Sequence, residues 1–191
     1  MIQLSERLLA MEESATIAMA KKSRELKSQG KDVISLSLGE PDFHTPAFIK
    51  EAAVEALAQN YTTYTPVPGY DDLRESISHK FLRDNNLSYG KDQIVVSTGA
   101  KQSIANLVLS LINPGDEVII PAPYWVSYLE IVKVADGIPV VISAGIDKDF
   151  KITGADLEAA ITHKTKLLMF STPCNPTGSV YSKEELQDLA R

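Results

Sequence analysis

The pattern of hydrophobic and polar positions divides the chain into a helical first part and a second part in which strands and helices alternate. Between residues 14 and 29, apolar side chains recur at helical spacing, and Gly30 follows where a left-handed C-cap would stand. The same spacing predicts helices from Pro46 to Leu57 and from Asp71 to Asn85. An irregular, aromatic-rich loop from Tyr61 to Tyr70 separates these two helices.

From Gln93 onward, short continuous apolar runs alternate with amphipathic segments. Four of these runs are predicted to be strands, and they are Ile94–Val96, Val118–Ile120, Val140–Ile142 and Leu167–Phe170. Helices are expected between them, at about 100–112, 126–135 and 155–161. Short apolar strands separated by helices favour a largely parallel sheet with helices on both faces. The sequence therefore predicts an α/β fold.

The last predicted element is a helix that starts at Lys183. Ser182 and Glu185 have the spacing of a capping box, and Leu186 begins an apolar stripe. No Gly, Asn or Pro follows before Arg191, so we expect the chain to break off within a helix, as a truncated polypeptide would. The alternative is a short terminal helix that frays.

Composition and charge narrow the class of protein. The chain has 191 residues, of which 44% are hydrophobic, enough to build a core. Its net charge is −6 and its basic residues are dispersed, which argues against nucleic acid or an anionic membrane surface as a partner. Neither a membrane-length apolar run nor a signal peptide is present, and one cysteine, Cys174, excludes an internal disulfide framework. We expect a soluble protein of the reducing cytoplasm.

Candidate chemistry lies where three predicted strands end. Ser97–Gln102 places small residues at a helix N-terminus that favours a phosphate, Trp125 supplies a flat π-face, and Asn175 supplies an amide. Each feature alone is more often structural, as tight packing, a core tryptophan or a turn. Together they predict a site for a flat phosphorylated heterocycle at the carboxyl ends of the strands. The glycine-rich fingerprints of dinucleotide and P-loop sites are absent from the sequence.

Six short motifs, in this order and with these spacings, resemble the class I aminotransferases of fold type I. The motifs are Gly39-Glu40-Pro41-Asp42-Phe43, Tyr64–Gly69, Ser97–Gln102, Asn113–Val118, Pro123-Tyr124-Trp125 and Asn175-Pro176-Thr177-Gly178. The resemblance runs essentially from end to end. Within the family the chain is most similar to the bacterial aspartate aminotransferase subgroup, whose members often also use prephenate.

This resemblance implies a pyridoxal 5′-phosphate enzyme that moves an amino group between an amino acid and a 2-oxo acid. It implies the aspartate aminotransferase-like fold, with an incomplete large domain and the N-terminal part of the small domain. The expected division is an N-terminal arm at 1–13, a small-domain segment at 14–45, and a truncated large cofactor-binding domain at 46–191.

The resemblance also assigns roles to single residues around the cofactor. The backbone of Gly99, Ala100 and Lys101 would hold the phosphate. Trp125 would stack on the pyridine ring, and Asn175 would donate a hydrogen bond to the phenolic oxygen. Peptide bonds before Pro123 and Pro176 are expected to be cis, which would aim Trp125 and Asn175 at the cofactor.

A homodimer with a shared active site is implied as well, since Tyr64 would reach the phosphate held by the partner subunit. On the substrate side, the Gly39 backbone would approach the α-carboxylate, where a side chain would obstruct. Trp125 and Asn175 would also border the substrate.

Substrate choice rests on Lys101, which by resemblance pairs with the distal carboxylate of aspartate or glutamate, with Thr16 assisting. Alternatively, Lys101 is an ordinary exposed lysine. A cation at a helix N-terminus is electrostatically unfavourable, however, which favours a functional role. Trp125 in the stacking position also favours dicarboxylates. We therefore expect aspartate with 2-oxoglutarate as the substrate pair and no metal site.

The family's catalytic lysine, which forms a Schiff base with the cofactor, follows well downstream of the Asn-Pro-x-Gly motif. We expect it beyond Arg191, so no catalytic residue is assigned within the chain and the chain alone is expected to be inactive. In the family's fold the first strand pairs with the last strand of the sheet. Ile94–Val96 should therefore lack its pairing partner.

Other interpretations stay open beside aspartate transamination. Within the family, the alternatives are an aromatic or prephenate aminotransferase or a carbon–sulfur lyase. Outside catalysis, a short protein could keep this half of the fold as a binding or assembly module, and the uncapped last helix argues against that.

Overall fold

The chain folds into two compact units in a computed structural model that describes residues 4–12, 14–36, 38–39 and 41–191. The sheet unit comprises Met1–Ser37 and Ile104–Arg191, and the helix unit comprises Leu38–Ser103. Glu40 of the Gly39-Glu40-Pro41-Asp42 motif lies outside the described residues, as do residues 1–3 and 13 of the expected N-terminal arm.

Eight α-helices and three strands are found in the described part of the chain. In chain order they are α1 Glu6–Leu9, α2 Ala15–Ser28, α3 Ala47–Ala58, α4 Asp71–Asn85, α5 Ala100–Leu111, β1 Glu117–Ala122, α6 Ser127–Val134, β2 Ile138–Ser143, α7 Gly154–Ala160, β3 Thr165–Leu168 and α8 Lys183–Leu189. Short 3₁₀ turns occur at Lys91–Gln93 and Ile146–Lys148. No described helix has the length and apolar character needed to cross a bilayer.

The three strands form one parallel sheet in the order β2-β1-β3, with β1 in the centre. Ile119 of β1 pairs with Val140 on one side and with Leu168 on the other. A parallel connection needs a crossover, and α6 and α7 occupy the chain segments between the strands. The predicted parallel arrangement is confirmed for these strands.

Helices cover both faces of this sheet, because successive side chains of β1 point in opposite directions. Val118 and Ile120 pack with Val132 of α6 and with Val108 of α5 in one buried cluster. Ile119 belongs to a second buried cluster, on the opposite face. That cluster contains Ala144, Ile152 and Leu157, with Leu189 of α8 packed against it. The α/β prediction is therefore confirmed.

The predicted strand at Ile94–Val96 is wrong for this structure. Ile94 has extended backbone angles, with φ −117° and ψ 128°, but the segment forms no ladder with any described residue. Instead, the Val96 N–H donates to the carbonyl oxygen of Pro68 at 2.9 Å. An extended apolar segment becomes a strand only when a neighbour accepts its backbone hydrogen bonds, which agrees with the expectation that this one lacks its partner.

Gly69 allows that contact between the loop and the extended segment. Its φ is +100°, and a Cβ built on it would lie 2.7 Å from Cγ2 of Val96. A residue without a side chain is therefore required at this position in the helix unit.

The capping box predicted at the last helix is confirmed. The Ser182 N–H donates to Oε2 of Glu185 at 2.7 Å, and the Glu185 N–H donates to Oγ of Ser182 at 3.2 Å. Glu185 also binds Nζ of Lys151 at 2.7 Å, which ties the start of α8 to the segment that precedes α7. The hydrogen bond from Lys151 is the main reason that the pKa of Glu185 lies below its ordinary value.

Candidate functional site

The loop after β1 carries Trp125. The peptide bond between Ala122 and Pro123 is cis, as expected. The indole of Trp125 is half-buried and meets the buried ring of Tyr128 edge to face, with centroids 5.5 Å apart and an interplanar angle of 87°. One part of the indole is therefore held by the core while another part stays accessible.

The loop after β3 carries Asn175, which is exposed. Backbone hydrogen bonds close this loop. The Cys174 N–H donates to the Ser179 carbonyl at 2.8 Å, and the Gly178 N–H donates to the Cys174 carbonyl at 2.7 Å. The Asn175 N–H donates to Oγ of Ser171 at 3.3 Å. The backbone of the loop is thereby fixed, and the Asn175 amide faces outward.

These two loops lie side by side at the carboxyl ends of adjacent parallel strands. The Asn175–Pro176 bond is cis, as expected, and the Thr172–Pro173 bond is also cis, which the sequence analysis did not anticipate. The thiol of Cys174 donates to the carbonyl oxygen of Pro123 at 3.5 Å. The sheet unit thus brings together the loops of Trp125 and Asn175, as the rule for strand ends predicted.

Tyr181, which the sequence analysis did not single out, closes the base of the Asn175 loop. Its hydroxyl accepts the Ile152 N–H at 2.9 Å, its backbone N–H donates to Oγ1 of Thr172 at 3.0 Å, and its ring packs on Phe170 with centroids 5.3 Å apart. Burial raises the pKa of Tyr181 above its ordinary value, so the hydroxyl stays protonated at neutral pH.

A strained turn supports the same loop from below. Asp149 and Phe150 both have left-handed backbone angles, with φ of 53° and 56°. A bulky residue rarely adopts this conformation, and it persists only where its surroundings impose it. Phe150 lines a cavity of about 10 Å³ together with Cys174 and Tyr181. Nothing in the sequence around residue 150 signals this conformation.

In the helix unit, the start of α5 has the features of an anion-binding site. Gly99 has a φ of +96°, and no described residue has an atom within 4 Å of the position that its Cβ would take. α5 begins at Ala100 with no acidic residue in its first turn, and free N–H groups at a helix N-terminus favour an anion. Oε1 of Gln102 accepts both the N–H and the hydroxyl of Thr98, at 2.5 and 2.7 Å, which holds the turn.

The other residues assigned by resemblance lie as follows. Lys101 is exposed in the first turn of α5, and Tyr64 is fully exposed in the loop before α4. No described atom lies within 4 Å of the position that a Cβ on Gly39 would take. Thr16 is half-buried on α2 and lines a groove of about 470 Å³ with the 33–36 segment, a cavity whose lining includes neither Trp125 nor Asn175.

Each unit, taken by itself, offers donors that suit one part of a phosphorylated heteroaromatic group. The α5 N-terminus suits a phosphate, Trp125 presents an accessible aromatic surface, and the exposed Asn175 amide can donate to a ring oxygen. These are the chemical properties that the resemblance requires of residues that hold pyridoxal phosphate.

Comparison with known proteins agrees with this description. A family model described as aminotransferase class I and II matches residues 31–191. An aspartate/prephenate aminotransferase of Nitrosomonas europaea is 51% identical over 98% of this chain and 47% of its own length. An aspartate aminotransferase of Bacillus sp. YM-2 is 48% identical over 98% of this chain and 48% of its own length. The crystal structure of aspartate aminotransferase from Thermus thermophilus with maleate matches with a TM-score of 0.96 and 46% identity, over 100% of this chain and 50% of that one.

The fold is accordingly that of the aspartate aminotransferases. The chain spans about half the length of the curated relatives that it matches.

Proposed function

The chain belongs to the aminotransferase class I and II family, and from this premise we propose that it forms part of a pyridoxal phosphate enzyme with aspartate and 2-oxoglutarate as substrates. The enzyme transfers the amino group of aspartate to 2-oxoglutarate. The observation that carries this proposal is the pair of loops that present Trp125 and Asn175 at adjacent strand ends, linked by Cys174 and Pro123.

Trp125 and Asn175 act on the ring of the cofactor. Trp125 stacks on the pyridine face, and its edge contact with Tyr128 keeps the indole from turning away. The Asn175 amide donates to the phenolic oxygen and so favours its ionised form. The cofactor supplies an electron sink for the substrate carbon, and these two residues orient it. Both also border the bound substrate.

The phosphate is held by the backbone of Gly99, Ala100 and Lys101. The positive φ of Gly99 turns the chain into α5, whose first turn has no acidic residue, and a helix N-terminus favours a dianion. A phosphate fixed in this way anchors the cofactor to the helix unit.

Specificity for dicarboxylates is assigned to Lys101, with Thr16 assisting, and the Gly39 backbone approaches the α-carboxylate. The names of the relatives support this substrate class, since they include both aspartate and aspartate/prephenate aminotransferases. Prephenate is the second candidate amino-group acceptor, and it too carries a carboxylate at a distance from the oxo acid.

A homodimer in the cytoplasm completes the proposal, with Tyr64 contributing to the phosphate site of the partner. Tyr64 is fully exposed and the nearby Val67 is 96% exposed. Large apolar and aromatic side chains in this state are typical of a surface that a partner covers.

A substrate panel tests the proposal on the full-length protein loaded with pyridoxal phosphate. We expect the highest kcat/KM for aspartate and glutamate paired with their oxo acids, lower values for aromatic amino acids, and no release of thiol from a thioether amino acid. Equal or greater turnover of aromatic substrates would shift the assignment to an aromatic aminotransferase. Thiol release would shift it to a carbon–sulfur lyase.

A further inference from the structure

We propose that Tyr181 is a positioning residue that sets the orientation of the Asn175 amide. The inference rests on the proposed function, because it concerns how Asn175 meets the ring of the cofactor. Tyr181 is buried, with only 7% of its surface exposed, so it is not expected to contact the cofactor itself. It acts through the backbone of the loop that carries Asn175.

Tyr181 joins the two ends of that loop. Its ring contacts Phe170, at the end of the apolar run that leads into the loop, and its N–H binds Thr172 just inside. Between these anchors, the hydrogen bonds of Cys174 with Ser179 and Gly178 leave the loop little freedom. A displacement of Tyr181 therefore moves the loop as one body, with Asn175 at its outer side.

The hydroxyl of Tyr181 connects the loop to the core of the sheet unit. It accepts the N–H of Ile152, a residue that is 3% exposed and packs in the same cluster as Ile119 of the central strand. A buried N–H without an acceptor is costly, so this hydrogen bond strongly favours one position of the tyrosine. The position of Asn175 therefore depends on contacts that lead back to β1, the strand that precedes Trp125.

The strained turn at Asp149 and Phe150 is the second part of this support. Phe150 lines the small cavity beneath the loop, and Asp149 accepts a hydrogen bond from Oγ of Ser179 at 3.4 Å. Two consecutive non-glycine residues in the left-handed region are unfavourable, and contacts of this kind are what keep them there. The turn and Tyr181 thus both contact the loop that carries Asn175.

The consequence for a bound cofactor is electrostatic. A hydrogen bond from the Asn175 amide stabilises the ionised phenolic oxygen and lowers the pH at which the absorbance of bound pyridoxal phosphate changes. If the amide turns by a small angle, the hydrogen bond weakens and this midpoint rises. A residue needed only for global stability would lower the melting temperature without moving the midpoint.

The test is Tyr181→Phe in the full-length protein loaded with pyridoxal phosphate. We expect the absorbance midpoint to rise by about 0.3–1 pH unit, the range for weakening one hydrogen bond to a charged oxygen. The Ile152 amide should exchange with solvent about tenfold faster, because it loses its acceptor. Tyr89→Phe is the matched control, because Tyr89 also packs edge to face on a phenylalanine, in the helix unit. The absorbance midpoint of this variant should equal that of the wild type.

Thr172→Val provides a second variant, because it removes the acceptor of the Tyr181 N–H and leaves the tyrosine ring in place. It should raise the midpoint in the same direction, and Thr172→Ser should restore it. A folded Tyr181→Phe or Thr172→Val protein with the wild-type midpoint overturns the proposal. Failure of the wild type to bind pyridoxal phosphate would instead overturn the proposed function, and the inference about Tyr181 with it.

Discussion

The thiol of Cys174 lies 3.5 Å from the carbonyl oxygen of Pro123 and donates a hydrogen bond to it, across the gap between two loops. One loop follows the central strand and carries Trp125, and the other follows the neighbouring strand and carries Asn175. The loops that carry the two proposed ring-binding side chains are thus joined through Cys174 and Pro123, a contact in which neither Trp125 nor Asn175 takes part. The only cysteine of the chain has a structural explanation at this position.

Removal of that contact should loosen the pair of loops. We predict that Cys174→Ala lowers the free energy of unfolding by about 1 kcal/mol, from the lost thiol contacts and a small cavity. It should also weaken the binding of pyridoxal phosphate several-fold. Cys174→Ser, which keeps a donor, should retain most of the affinity. Denaturant unfolding and cofactor titration of the full-length variants measure both effects, and equal affinity in the alanine variant and the wild type would refute the link.

Lys101 is predicted to recognise the distal carboxylate. In the full-length enzyme, Lys101→Ala should lower kcat/KM for aspartate about 10–100-fold, which corresponds to the loss of a hydrogen bond to a charged group. Turnover of an amino acid without a distal carboxylate should change by less than about twofold. Lys50→Ala, at an exposed lysine of α3, is the control. Unchanged aspartate turnover in Lys101→Ala would make Lys101 an ordinary exposed lysine.

Acid should destabilise the helix unit through Asp71. Hydrogen bonds from Lys91 and then from Arg74 hold the pKa of Asp71 below its ordinary value of 3.8. A carboxyl whose pKa is lower in the folded state stabilises the fold at pH values above the unfolded-state pKa, and this contribution is lost as the pH falls through the folded-state pKa. Asp71→Asn should therefore be less stable than the wild type at pH 7.

The difference between Asp71→Asn and the wild type should shrink as the pH falls through the lowered pKa of Asp71, because the wild-type carboxyl then becomes protonated as well. Added salt should reduce the difference at pH 7, because Asp71 and Lys91 are exposed. Thermal melts between pH 2.5 and 7 provide the comparison. A difference that persists undiminished in acid would show that Asp71 does not act through its charge.

Gly69 is predicted to be intolerant of any side chain. Gly69→Ala combines a left-handed φ with a Cβ placed 2.7 Å from Val96, so it should destabilise the fold by more than about 2 kcal/mol. Gly30 is the matched control, since its φ is +78° but no described atom lies within 4 Å of its Cβ position. Gly30→Ala should cost only about 1 kcal/mol. Similar losses in the two variants, measured by denaturant unfolding, would mean that the clash with Val96 is relieved at little cost.

The elements that the sequence predicted correctly depend on local patterns. Val118–Ile120, Val140–Ile142 and the first part of Leu167–Phe170 are strands because each is a continuous apolar run that can be buried on both faces. The helix at Lys183 begins where Ser182 and Glu185 can cap it. Ile94–Val96 has the same apolar character, but a strand also needs a neighbour, and composition alone does not supply one.

The candidate site divides in the same way. Trp125 and Asn175 were identified because polar or aromatic residues directly after parallel strands meet at one edge of the sheet. Tyr181 was not identified from the sequence, because its proposed role depends on a hydrogen bond with Ile152, 29 residues away. No short motif encodes such a contact. Phe150 adopts left-handed angles without the glycine or asparagine that would signal them. Contacts between distant segments become visible only in the fold.

Transfer of the amino group from aspartate to 2-oxoglutarate is the decisive measurement for the proposed function. The full-length protein, loaded with pyridoxal phosphate, is incubated with ¹⁵N-labelled aspartate and 2-oxoglutarate, and the products are identified by mass spectrometry. We expect ¹⁵N-labelled glutamate together with the oxo acid of aspartate, and a large loss of this transfer in Asn175→Ala. Protein that binds the cofactor but yields no labelled glutamate would contradict the proposed function.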